Sequence, residues 1–285
     1  MKNFLKIIFE LGKVRISLPV TLSALAGYTL YSGRIDEQGL LMALGVFFMS
    51  CGSGALNHWQ ERRTDALMPR TKKRPIPSGK ITAIQGFFVV LGYTTIGSLI
   101  LVFSNPLIAL FLSWVTLVSY NLIYTPLKRV TAFAVIPGSL VGSLPPMIGW
   151  TASGGDVFAE PILIVATFFF IGQIPHFWLL LLLFGDQYKL AGLQSLTDIF
   201  STLQIKRITY TWVLTTIASA LLVLVFVIAG RVISALLLLY IFYLMYALTR
   251  GVFSKQEFKV LPAFYKLNFL YLFMMLFLIA DSLLR

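Results

Sequence analysis

The sequence predicts an all-α polytopic membrane protein, with about nine transmembrane helices in one domain over residues 1–285. Three observations carry that expectation. Apolar residues make up 58% of the chain and charged residues 12%, with a mean hydropathy of +0.86. The apolar residues gather into runs of about 20, the length that crosses a bilayer. The cations fall almost entirely in alternate connections between those runs. The single cysteine, Cys51, leaves no disulfide within the chain, and no Cys/His spacing resembles a zinc or iron–sulfur site.

An amphipathic lead carrying Lys2, Lys6, Lys13 and Arg15 comes first. No small-residue cleavage pattern follows the first apolar run, so the lead is expected to persist and to lie on the membrane surface. The expected spans are 15–33, 38–59, 82–103, 106–127, 131–152, 160–184, 208–230, 232–249 and 264–284. The pairs around Asn105-Pro106 and Gly230-Arg231 read as tight helical hairpins. Of the 23 Lys and Arg residues, all but Arg34, Arg231 and Arg285 lie in the lead or on the side of the connections 60–81, 128–130, 185–207 and 250–263. Cations mark the cytoplasmic side, which places the amino terminus and these loops there and the carboxy terminus opposite. The membrane expected is a bacterial inner (cytoplasmic) membrane. The net charge of +12 then requires no nucleic acid, because anionic lipid heads and a phosphorylated substrate account for it.

The densest polar segment is 57–75. If it is helical, Asn57, Glu61 and Asp65 stand at i, i+4 and i+8 and share one face. An amide oxygen and two carboxylates are hard ligands of the kind Mg²⁺ accepts, its remaining positions going to water and phosphate oxygens. Arg62, Arg63, Arg70, Lys72, Lys73 and Arg74 would neutralise phosphate charge, although the topology rule alone would also put cations here. Lys128 and Arg129, after Tyr124-Thr-Pro126, add two cations at the same depth, again open to the topology reading. The run Pro137-Gly138 to Pro145-Pro146-Met-Ile-Gly149-Trp150 is expected to bend the fifth helix and open room for a large ligand, though close helix packing uses the same residue types. His176, between Pro175 and Phe177 in an apolar run, is a functional candidate by its depth alone; the bland reading is an imidazole hydrogen-bonded between helices. His58 lies between ligand positions and is expected to support them.

These elements, in this order, resemble the UbiA-type intramembrane prenyltransferases, and most closely their haem-farnesylating branch. The resemblance runs from Lys13-Val-Arg15 to Leu261-Pro-Ala-Phe. It is carried by Asn57-x-x-x-Glu61-x-x-x-Asp65 with Met68-x-Arg70-Thr71-x-x-Arg74-Pro75, by Tyr124-Thr-Pro-Leu-Lys128-Arg129, by Pro145-Pro146-x-x-Gly149-Trp150 and by Pro175-His176-Phe177. Many relatives have Asp at the place of Glu61 and an aromatic at that of Gly172, and the run Ala191-Gly192-Leu-Gln194-Ser195-Leu196 departs from the family's Ala-Gly-Ile-Pro-Met-Leu-like pattern. The resemblance implies a UbiA-type helical bundle with a cytoplasmic-side site that moves a farnesyl group from farnesyl diphosphate to a vinyl group of haem b. It implies Mg²⁺ on Asn57, Glu61 and Asp65; diphosphate on Arg70, Lys72, Lys73, Arg74, Lys128 and Arg129; and cation stabilisation by Tyr124 and Tyr120. Haem would meet His176, as iron ligand or as a base for the water that adds to the product, together with Phe177, Pro145, Pro146 and Trp150. Besides the bilayer, haem a synthase or terminal-oxidase assembly factors are the implied partners. An aromatic or quinone-precursor acceptor is the alternative, but relatives of that kind usually carry a second Asp-rich motif where this chain has only Asp186 and Asp198. A transporter or lipid-binding protein is the alternative of another class, against which no broken helix has a matching partner in the other half.

Overall fold

The computed structural model describes residues 2–253 and 259–285, without the side chains of Lys2 and Asn3, so the expectation for the Lys2 side chain lies outside the described residues. Among the described residues all regular structure is helical. In chain order the helices are α1 (Lys2–Leu11), α2 (Val14–Ser32), α3 (Glu37–Gln60), α4 (Arg62–Leu67), α5 (Ala83–Ser104), α6 (Leu107–Val118), a π-helical turn (Ser119–Tyr124), α7 (Thr125–Leu127), α8 (Val135–Gly138), α9 (Leu140–Ala152), α10 (Glu160–Leu190), a 3₁₀ turn (Leu196–Asp198), α11 (Thr202–Phe226), α12 (Arg231–Phe253) and α13 (Val260–Leu284).

Among the described residues seven helices are long and apolar enough to cross a membrane, which makes this an integral membrane protein. The expected count of nine is not reached by length and composition. The segment 131–152, expected as one span, breaks at Ser139 into α8 and α9, and α2 is not among the seven. Several expected boundaries also move outward: α10 runs to Leu190, α11 starts at Thr202 and α13 at Val260. The apolar runs end at charged residues, but a helix can carry polar turns beyond the hydrocarbon layer. Start signals are local. The Asp36 carboxylate accepts from Gly39 N–H at 3.0 Å, and Thr82 and Ser201 form capping boxes with Gln85 and Gln204.

The helices close around a centre where α2 contacts α3, α9 and α13, and α10 contacts α9, α11 and α13. One apolar core joins α10 to α13, with Phe168, Leu237 and Leu267 fully buried; a second joins α2, α3, α6 and α9 around Tyr28, Met42 and Ile148. The Pro/Gly run expected to bend the fifth helix does both things expected of it. The helix breaks at Ser139, just after Pro137-Gly138. In α9, Gly149 and Pro146 make a close packing contact with α2, where a Cβ on Gly149 would lie 1.7 Å from Ala24 O and one on Gly27 1.9 Å from Pro146 O. Small residues allow helix backbones this approach in a bilayer, where packing replaces the hydrophobic drive.

That contact is testable against a control. Gly149→Ala forces a methyl into a filled contact and is expected to destabilise by about 1–3 kcal/mol or more, seen as a lower thermal midpoint in detergent. Gly92→Ala, whose Cβ meets nothing within 4 Å, is expected to be neutral or to stabilise by up to about 1 kcal/mol through helix propensity.

A candidate polyanion site beside a cavity

The residues Asn57, Glu61 and Asp65 do share one face, though not on one uninterrupted helix. α3 ends at Gln60 and α4 begins at Arg62, while Glu61 N–H donates to Asn57 O at 2.9 Å and Asp65 N–H to Glu61 O at 2.7 Å, so the i→i−4 ladder survives the junction. Each of the three side chains meets a cation from a different part of the chain. Lys13 Nζ donates to Asn57 Oδ1 at 2.5 Å, Lys128 Nζ to Glu61 Oε1 at 2.5 Å and Arg74 Nη1 to Asp65 Oδ2 at 2.7 Å.

Lys128 is held in place by an unusual turn. The π-helical segment is stitched to the last turns of α3: Ser53 Oγ donates to Asn121 Oδ1 at 2.7 Å, Asn121 Nδ2 to Ser53 O at 3.0 Å and to Gln60 Oε1 at 3.2 Å, and Gln60 Nε2 to Asn121 O at 3.0 Å. Asn57 Nδ2 adds a bond to Thr125 Oγ1 at 3.2 Å. The rings of Tyr120 and Tyr124 stack at 5.6 Å, and Phe177 follows 5.3 Å from Tyr124. Lys13 Nζ stands 5.8 Å above Tyr120 and Lys128 Nζ 4.9 Å above Tyr124, so the cations rest on aromatic faces.

The electrostatics follow from burial and from these pairings. Burial works against the Lys128 ammonium, but the Glu61 carboxylate beside it holds its pKa well above the ordinary lysine value. Burial would raise Glu61, yet Lys128 keeps it below the usual carboxylate range. Asp65 is pushed up by burial, which Arg74 only partly offsets. Lys13 is pushed down to about 7, first by burial and then by Arg74. Its remaining accessible surface opens into a cavity of about 260 Å³ that extends between α2, α3, α6, α9 and α10, lined by Ser50, Ser53, Tyr120, Pro145, Gln173, His176 and Phe177 among others.

Of the residues expected at the site, Asn57, Glu61, Asp65, Arg74 and Lys128 are brought together, and Tyr124, Phe177 and His176 lie beyond them. Pro145 lines the cavity; Pro146 packs on α2, and Trp150 edges against Tyr31 at 5.0 Å and donates to Asp156 O, away from the lining. Arg70, Lys72, Lys73 and Arg129 are exposed, with Arg70 lying 4.7 Å over Phe184. His58 is buried and its Nδ1 has no hydrogen-bond partner among the described residues. The residue that sequence reasoning missed is Lys13. It sits in the turn between α1 and α2 with φ 47, a left-handed backbone that side-chain-bearing residues seldom adopt and that gathers at functional sites. A sequence shows only a cation ahead of an apolar run.

Among the described residues no three His, Cys, Asp or Glu side chains gather as a metal site. The mixed oxygen set of Asn57, Glu61 and Asp65 nevertheless fits a hard cation. Asp65 Oδ1 is buried without a hydrogen-bond partner, an acceptor with capacity to spare.

The sequence matches the UbiA prenyltransferase family over residues 18–276. It is 39% identical over 190 residues to a protein named protoheme IX farnesyltransferase from Cytophaga hutchinsonii, covering 66% of each chain. It is 38% identical over 165 residues to one of the same name from Nitratidesulfovibrio vulgaris, covering 58% of each. The matched stretch thus spans under two thirds of the length of these relatives. A structure described as a UbiA homolog from Archaeoglobus fulgidus bound to GPP and Mg²⁺ has a TM-score of 0.72, over 98% of this chain and 100% of that one, at 14% identity; the likeness is one of fold.

Lys13 makes stability depend on pH with a definite sign. The unfolded lysine keeps its proton to about 10.4, whereas the folded one loses it near 7. Between those values the unfolded state binds more protons, so stability rises with pH, and the full cost of the buried ammonium is present below 7. The thermal midpoint in detergent is expected to climb from pH 7 to pH 9, and Lys13→Met to flatten that climb.

Proposed function

The chain belongs to the UbiA prenyltransferase family, and on that premise we propose that it moves a farnesyl group from farnesyl diphosphate to a vinyl group of haem b. The observation that carries the reading is the meeting of Asn57, Glu61 and Asp65 with Lys13, Lys128 and Arg74, where Lys13 also lines a cavity that His176 shares. Three cations there face two carboxylates, an excess that suits a polyanion. The name shared by the relatives from two organisms supports the haem acceptor.

Asn57, Glu61 and Asp65 would hold Mg²⁺, which when bound neutralises charge on the diphosphate oxygens. Arg74 and Lys128, released from their carboxylates, hydrogen-bond the diphosphate as the allylic C–O bond breaks and the leaving group takes the electron pair. Lys13 regains a full charge beside the same anion. Tyr120 and Tyr124 present their faces to the allylic cation. The apolar lining keeps water from it until the vinyl carbon bonds. A water then adds to the resulting carbocation and passes a proton to the released diphosphate, leaving a hydroxyl. His176 stands on the cavity wall where the haem acceptor would lie. Active-site loops on the cytoplasmic face of a bacterial inner membrane agree with the Lys/Arg asymmetry.

The direct test is incubation of purified protein with haem b, farnesyl diphosphate and Mg²⁺, followed by mass analysis. Haem o is expected, and chelation of Mg²⁺ is expected to stop its formation. Prenylation of a quinone precursor with haem untouched would move the acceptor assignment to the other branch. Glu61→Ala and Asp65→Ala are each expected to abolish transfer; near-normal turnover in either would place the metal elsewhere.

The cations are expected to separate in binding assays with inorganic diphosphate. Arg74→Ala or Lys128→Ala removes a charge-assisted bond worth about 1.5–3 kcal/mol, so affinity falls roughly ten- to a hundredfold. Arg70→Ala, at an exposed position, is expected to change affinity less than either.

A further inference from the structure

His176 Nδ1 lies 2.8 Å from Asn268 Oδ1 on α13, a helix that contributes no residue to the cavity lining. An amide oxygen only accepts, so this contact puts the ring proton on Nδ1. Three aromatic rings lie near the imidazole: Phe264 at 4.9 Å, Phe177 at 5.6 Å and Tyr271 at 6.3 Å. Tyr271 is admitted because residue 172 is glycine; a Cβ there would fall 2.6 Å from the Tyr271 ring, whose hydroxyl donates to Gly172 O. Asn268 and Tyr271, one turn apart on α13, therefore seize α10 at His176 and one turn before it.

We propose that Asn268 is a positioning residue that fixes the tautomer of His176, so that Nε2 meets the cavity as a bare lone pair. The ring then offers an acceptor and a metal ligand to the occupant, and no donor. Resting on the haem reading above, Nε2 is the atom that meets the iron of the acceptor. A ligating histidine is ordinarily held this way, its second nitrogen donating to a fixed oxygen, and loss of the partner weakens binding roughly ten- to a hundredfold.

The chain has only two histidines, which makes the tautomer directly observable. The experiment is ¹⁵N NMR of ring-labelled histidine in lipid nanodiscs without haem, with His176→Gln assigning the resonances, followed by optical titration with haem b. A protonated Nδ1 and an unprotonated Nε2 are expected in the wild type. Asn268→Leu is expected to give a mixture of tautomers, a shifted haem absorption band and roughly tenfold or greater weakening of haem binding, with diphosphate binding unchanged. Asn268→Asp, whose carboxylate still accepts, is expected to keep both the tautomer and the band. An unprotonated Nδ1 in the wild type overturns the proposal. So does a change of tautomer in Asn268→Asp, which would mean that the amide nitrogen had been the donor. If the tautomer follows Asn268 as expected but wild-type protein takes up no haem, the positioning role stands and the haem reading fails.

Discussion

A carboxylate withdrawn from water costs several kcal/mol unless a cation and further hydrogen bonds meet it, and the α3–α4 junction together with α4 withdraws two, Glu61 and Asp65. Glu61 and Asp65 are made tolerable by Lys128 and Arg74, and the amide of Asn57 takes Lys13. The three partners come from the α1–α2 turn, the loop after α4 and the segment after the π-helical turn. Charge neutralisation therefore draws distant parts of the chain to one point.

On the proposed function, the same arrangement would let the site exchange its ion pairs for a ligand. A ligand with one charge displaces one pair and leaves two buried carboxylates to compete for the remaining cations. A diphosphate arriving with a divalent cation supplies charge of both signs, so every group released finds a new partner. Beneath the cations, the row Tyr120, Tyr124 and Phe177 leads from this polar cluster to the wall that holds His176. Charge separation at one end and an apolar, aromatic-lined end at the other are arranged along a single path.

Much of this was legible in the residues. The period of four in Asn57, Glu61 and Asp65 placed them on one face because helical geometry imposes that spacing. The apolar runs located the helices, although polar turns beyond the hydrocarbon layer hid several true ends. Lys13 was hidden for a physical reason: its partner is 44 residues away, and a topology signal looks the same as a site residue before folding. The exposed Arg70, Lys72, Lys73 and Arg129 show the converse, since density of charge in sequence does not reveal which side chains turn inward. The Pro/Gly run invited two readings, and both hold: the helix breaks at Ser139, and the 1.7 Å that a Gly149 Cβ would leave to Ala24 O marks close packing. Pro146 and Trp150 then belong to the scaffold, while Pro145 keeps its place in the cavity wall.

The π-helical turn at Ser119–Tyr124 has a bearing on how this chain tolerates change in length. A π turn accommodates an extra residue within an otherwise α-helical path. In an α-helix one residue corresponds to about 100° of rotation and about 1.5 Å of rise. Shortening the turn by one residue would restore regular hydrogen bonding and improve the helix taken alone, while swinging Lys128 off the side that faces Glu61 and separating Asn121 from Ser53 and Gln60. The irregular turn works as a phase adjuster: the helix before it is set by lipid and packing, the lysine after it by the carboxylate, and a single added residue reconciles the two.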